Sequence, residues 1–369
     1  MRRERERQAL RELDWLCSRG LAFPTLVAGA SAAIRLVVAH ERFCFHTVDP
    51  VTHLMTGGLA QNLAPGDGYQ RMLRNEYVEE DVNKWADLAR RRERASTLTV
   101  ATRGRRERSV RYRELLRPQQ CEWELRVALV ERSTCWGAVG IYRSDDEPDF
   151  AAEEVRFLAA AASTLAGGFR RSLIAGDLPS RETGEDGPGV VVFDEALAVE
   201  DVSPAAARWA AELRGPPHAQ AEWLPAQIWA VATAAANPEA ASGDARTRVL
   251  SPSGEWLLLQ GARLGDCGRV AVVIEPARRQ DLAPLIAAAY GLTAAEWSIT
   301  ELVLRGLSTA EIAHRKHLSP YTVQDHLKSV FTKVGIRSRR ELVARVFYDQ
   351  HLPRIMAGAR PDREGALAP

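Results

Sequence analysis

"SPYTVQDHLKS", residues 319–329, opens on serine and proline and then spaces its apolar residues as a helix does. Serine is a good N-cap, and proline is tolerated at the first helical position, where no amide is needed. Val323, Leu327, Val330 and Val334 follow at i, i+4, i+7 and i+11, one stripe directed at a core. Tyr321, Gln324, Asp325, Lys328 and Thr332 fall on the opposite face. That face is a mixture of donors and acceptors. Glutamine and lysine suit adenine and guanine edges in a major groove, and a carboxylate can accept from the cytosine amine. Lys316, Lys333, Arg337, Arg339 and Arg340 flank it and are suited to neutralising phosphates.

Working outward, the punctuation stays dense. Thr293 to Glu296, Ser308 to Glu311 and Ser338 to Glu341 all read as capping boxes. Gly306 and Gly335 each follow a helix end. Four helices are predicted, at about 294–305, 309–316, 320–334 and 339–350. The second, a tight turn and the third make a helix-turn-helix. "LTAAEWSITELVLRGLSTAEIAHRKHLSPYTVQDHLKSVFTKVGIRSRRELVAR" (292–345) resembles a LuxR-type helix-turn-helix domain. The resemblance implies that the third helix enters the major groove and the fourth contributes to dimerisation. It places base contacts on Gln324, Asp325 and Lys328, and phosphate contacts on Thr309, Thr322 and Lys333. The sequence departs from the family at Gln324, where lysine is common, and at Asp325, where a small or apolar residue is common. Two accounts of Asp325 stand side by side. It stabilises the positive end of its helix or pairs with a neighbouring base, or it repels phosphate and wrong bases while permitting a cytosine contact.

The rest of the chain bounds the answer. It has 369 residues, suited to two or three domains, and 49 basic against 48 acidic residues, so any pull toward a polyanion is local. Only four lysines occur, Lys84, Lys316, Lys328 and Lys333, and three of them surround the opening stretch. No run of apolar residues is long enough for a membrane span, and "MRRERERQALRELDWL" lacks the apolar core of a signal peptide. Cys17, Cys44, Cys121, Cys135 and Cys267 are scattered and form no CxxC pair, as expected of reduced thiols in a cytoplasm.

"GDLPSRETGEDGPG" (176–189) reads as a linker over 176–188, and a softer break falls near 275–284. Residues 1–175 are predicted to form an α+β region with a helix over 21–40, strands at 42–49, 121–130 and 135–143, and a closing helix at about 151–174. In the 121–130 strand, Trp123, Leu125, Val127 and Leu129 share one face. Glu122, Glu124 and Arg126 share the other, which is expected to be wet. Residues 20–174 resemble a GAF-type sensory domain. Residues 189–277 alternate strands and a capped helix and are similar to a reduced PAS domain. A connecting helix is expected at 278–290, the DNA reader at 291–350 and a tail at 351–369. The fold class is thus two sensory-type α+β regions, GAF-like then PAS-like, each an antiparallel sheet with helices, followed by an all-α four-helix reader.

Phe43, Phe45, Trp123, Trp136 and Tyr142 lie on predicted strands, and either line an effector pocket or pack as core. Cys44 and His46 share a strand face, but no second pair has metal-ligand spacing. There is no GxxxxGK[ST] and no phospho-receiver pattern, and "GASAA" (29–33) does not make a nucleophile elbow. The arginine runs at 89–96 and 103–113 are interspersed with glutamate, as solvated loops and helix faces are. The expectation is a cytoplasmic, dimeric, non-enzymatic transcription regulator without a cofactor. Its expected partners are double-stranded DNA, a second copy and RNA polymerase, with a small-molecule effector or a protein partner supplying the signal.

Overall fold

The computed structural model describes residues 2–63, 67–174, 187–214, 224–237, 245–265 and 268–342. Most of the 176–188 linker, the fourth helix beyond Leu342, the tail and Cys267 lie outside the described residues. The described residues divide into two compact units, 2–276 and 277–342.

The larger unit holds two five-stranded antiparallel sheets. Helices α1 (Arg2–Ser18) and α2 (Phe23–Arg35) precede β1 (Arg42–Val48) and β2 (Met55–Gln61). Then come α3 (Asp67–Tyr77), α4 (Trp85–Arg90), β3 (Ala95–Thr97), α5 (Leu98–Ala101), β4 (Trp123–Glu131), β5 (Thr134–Arg143) and α6 (Ala152–Ile174). The strand order is β2-β1-β5-β4-β3. The second sheet is built from β6 (Gly189–Phe193), β7 (Val199–Val202), β8 (Arg246–Leu250), β9 (Trp256–Leu264) and β10 (Arg269–Pro276), in the order β7-β6-β10-β9-β8. Helices α7 (Pro204–Arg214) and α8 (Ala226–Ala236) lie between β7 and β8 in sequence. Counted within each sheet, both orders are 2-1-5-4-3, although the sequence shows no internal repeat.

The two sheets share a core. Leu54, Met55 and Leu73 pack into the same buried cluster as Phe193, Trp229 and Val272. Arg248 Nη1 lies 2.7 Å from Asp49 Oδ2, with both side chains buried, and the Arg248 amide donates to the same oxygen at 3.2 Å. Gln227 Nε2 donates to the Thr56 carbonyl, and Asn237 Nδ2 to the Tyr77 carbonyl, each at 3.2 Å.

One expectation about the first sheet needs correction. The face of β4 expected to be wet is buried: Glu124 is 1% and Arg126 0% exposed. Their charges are answered by each other and from other parts of the chain. Arg126 donates to Glu124 Oε1 and Glu76 Oε2, each at 2.9 Å, and its guanidinium lies 3.8 Å from the Trp85 ring centre. Arg111, also buried, donates to Glu124 Oε2 at 2.7 Å and Asn75 Oδ1 at 3.2 Å. Burial by itself would raise the Glu124 carboxyl, but the two guanidiniums outweigh it and hold it below its ordinary range. The alternation of β4 does mark two faces. What it could not disclose is the second layer that covers the charged one.

The arginine runs also differ in part from solvated loops and helix faces, since Ala95 and Ser96 pair with Val127 and Arg126 of β4 and Arg111 is buried. Among the described residues, no single helix is long and apolar enough to cross a membrane. No group of three or more His, Cys, Asp or Glu among them could hold a metal ion.

The smaller unit contains α9 (Arg279–Ala289), α10 (Ala294–Leu304), α11 (Thr309–Lys316) and α12 (Pro320–Val334), with residues 339–342 again helical. Ile299, Leu302, Val303, Ile312, Ala313, Val323, Leu327, Val330, Ile336 and Leu342 form its core.

Candidate nucleic-acid interface

The start of α12 is built as its sequence suggests. Ser319 Oγ accepts from the Thr322 amide at 3.0 Å, and Pro320 occupies the first helical position. Gly335 closes the helix at φ 74°, a left-handed conformation that glycine adopts without a steric penalty. The helix before it, α11, begins with the Ser308–Glu311 box and ends at His317, whose φ of 54° makes the turn. At Ser338 the box is altered: Ser338 Oγ accepts from the Glu341 amide, but Glu341 Oε2 reaches the Arg337 amide instead of that of Ser338.

These caps fix the rotation of α12. Val323, Leu327 and Val330 are buried, while Val334 is half-buried at the margin. Tyr321, Gln324, Asp325, Lys328 and Thr332 are exposed, Tyr321 at 71%. The polar face is therefore contiguous and free to meet another surface. Lys316, Arg337 and Arg340 are exposed as well. Thr309 and Thr322 are half-buried, and the Thr322 hydroxyl lies 2.8 Å from Ser319 Oγ.

Two expected phosphate contacts have partners within the unit. Lys333 Nζ donates to Glu296 Oε1 at 2.8 Å and Oε2 at 2.6 Å, and Arg339 donates to the Leu307 carbonyl. Glu296 is legible in the sequence as a capping acid of α10, and it does accept from the Thr293 amide at 2.7 Å. Its larger role is not legible there. It also accepts from Ser329 Oγ at 2.6 Å, so one carboxylate clamps α12 to the start of α10. Burial would raise its pKa, yet the bonds from Lys333, Ser329 and Thr293 prevail and hold it at about 2.

For Asp325 the helix geometry removes the helix-end half of the first account. It stands six residues into α12, and the first turn contains no acid. Stabilisation by the helix dipole fades within that first turn. What remains locally is Lys328, whose Nζ is 3.5 Å from Asp325 Oδ1.

The five aromatics on the first sheet do not converge. Phe43 and Phe45 pack edge to face at 5.2 Å, and Phe45 and Phe23 both contact Phe169 of α6. Tyr142 belongs to a different cluster, with Cys44 and Trp85. Trp136 is buried, and Trp123 is half-buried, with its indole donating to the Glu147 carbonyl. In that second cluster His46 packs on Trp85, and burial together with Arg126 lowers its pKa to about 3. A separate cleft of about 420 Å³ is lined by Arg71, Arg74, Leu197 and Trp229 among others, with none of the five aromatics.

Comparison with known proteins agrees with the C-terminal geometry. Residues 291–346 match the family of bacterial regulatory proteins, luxR family. Over 52 residues the chain is 48% identical to proteins of Mycobacterium bovis and Mycobacterium tuberculosis provisionally named HTH-type transcriptional regulators. That segment is 14% of this chain and only 6% of each of those proteins. Among solved structures, the phage VqmA–DPO complex covers 52% of this chain and 95% of its own, at 18% identity and a TM-score of 0.19. The bacteriophytochrome RpBphP3 of R. palustris covers 74% and 62%, at 13% identity and a TM-score of 0.29. At such scores neither likeness bears on the fold. The C-terminal segment, by contrast, is a luxR-family helix-turn-helix.

Proposed function

We propose that this chain is a sequence-specific transcription regulator that places α12 in the DNA major groove, with the two-sheet unit controlling access. The observation that carries the reading is the split of α12 into a buried stripe and a contiguous, exposed polar face bearing Tyr321, Gln324, Asp325 and Lys328. A homodimer would set two such helices into adjacent major grooves, at half-sites one helical turn apart. RNA polymerase is the natural downstream partner of such a complex. We assign no catalytic role.

The two-sheet unit is read as GAF-like and then PAS-like, and the cleft lined by Arg71 and Trp229 offers room for a small effector. Control by a protein partner is the second reading. It is favoured by the packing of Phe43, Phe45, Trp136 and Tyr142 as core instead of a pocket lining.

Salt dependence tests the DNA reading directly. The logarithm of the full chain's affinity for duplex should fall linearly with log[salt], and Lys316→Ala and Arg340→Ala should each flatten that slope by about one unit. Slopes unchanged in both variants would remove this face as the DNA contact.

A further inference from the structure

We infer that Asp325 and Lys328 act together as a reader of one G·C pair, which makes Asp325 a specificity-determining residue. The inference rests on α12 entering a major groove, as proposed above. Its starting point is an acid that stability does not explain. Asp325 is beyond the reach of the helix dipole, and its contact with Lys328 is an exposed i,i+3 pair, 3.5 Å apart, of the kind that adds little to a fold. It also stands among bases on a surface that would meet a polyanion.

Base chemistry supplies a use for the pair. Lysine only donates hydrogen bonds, and an ionised carboxylate only accepts them. In the major groove a G·C pair shows guanine N7 and O6 as adjacent acceptors, with the cytosine amine at one end as donor. Lys328 on guanine and Asp325 on cytosine match that order. An A·T pair fits poorly, because its amine lies between two acceptors that would repel the carboxylate, and the thymine methyl crowds the edge. The ion pair of the free protein already holds a donor and an acceptor side by side on one turn of the exposed face. Lys328 also offsets the acid's charge as the helix approaches phosphate. Tyr321 and Gln324 remain for neighbouring positions.

Selection from a randomised duplex pool by the full chain, at one fixed salt concentration, tests this. The native protein should enrich a motif with a fixed G·C pair in each half-site. Asp325→Ala should lose the preference at that position by on the order of tenfold, with the remaining positions unchanged. Lys328→Ala should weaken the same position. Asp325→Asn, whose amide suits adenine, should move the preference there toward A·T. Asp325 is half exposed, so none of these outcomes depends on the fold surviving a core change. If the native protein and Asp325→Ala enrich one motif with equal preference throughout, the pair is not a reader, although DNA binding stands. Losses at two separate positions overturn the joint reading. Enrichment of no motif by the native protein overturns the DNA reading itself, and this inference with it.

Discussion

Strand β4 and helix α12 carry similar polar residues to opposite ends. On β4, Glu124 and Arg126 sit on alternate positions of a face that looks solvated, yet both are buried. They bond each other at 2.9 Å, and their further partners, Glu76 and Arg111, come from 50 and 13 residues away. On α12, Asp325 and Lys328 remain in water, and the contact between them spans only three residues. A buried charge requires partners brought from elsewhere in the chain, because desolvation costs several kcal/mol per ion without them. An exposed charge needs none, and so stays available to a partner from outside. The contrast separates charges that build the fold from charges the fold displays.

Removing one cation from each region should break the symmetry most clearly. Arg126→Ala leaves Glu76 and Glu124 buried without their shared partner and should cost about 3–5 kcal/mol of stability in urea denaturation. Lys328→Ala should change stability by less than about 0.5 kcal/mol. Comparable losses in the two variants would mean that the exposed pair on α12 is structural and is not held out for a partner.

Glu296 lies between these extremes, since it is buried but belongs to the helical C-terminal unit. Its pKa in the folded protein, about 2, is depressed below the ordinary carboxylate value. Its contribution is therefore complete above the ordinary value, roughly pH 4–5, and is lost as pH falls toward 2. Glu296→Gln should destabilise the α12 region at pH 7 by on the order of 1–2 kcal/mol, seen as faster amide exchange in 320–334. The difference between native and variant should shrink at pH 3. A difference that stays constant across that range would show that packing, not charge, holds α12 to α10.

The same contrast explains how far the sequence can be read. The C-terminal helices are legible because their signals are local: capping boxes, Pro320 and a 3.6-residue stripe all act within one or two turns. The first sheet is legible in β1, β4 and β5, where alternation is regular. Strand β2, "MTGGLAQ", escapes because two glycines interrupt its pattern, and it is held by pairing with β1 from Phe43 to Val48. The buried charges and the core shared by the two sheets escape for a related reason. Asp49 meets Arg248 across 199 residues, and no window along the chain contains both. Within the site, the exposed face follows from the helical period alone, but the internal bonds of Lys333 and Arg339 depend on α10 and the turn after it.

The smallest effect concerns the turn that sets α11 against α12. His317 adopts φ 54° there, a conformation that crowds the Cβ of an L-residue by roughly 1–2 kcal/mol, while glycine enters it freely. Glycine also has more freedom to lose from the unfolded chain, which offsets part of the gain. His317→Gly should therefore stabilise the unit by a few tenths to about 1 kcal/mol in urea denaturation, with affinity for a selected duplex unchanged. A loss of affinity with unchanged stability would mean that the imidazole, exposed at the end of α11, touches DNA itself. His317 would then move from the residues that build the fold to those it displays.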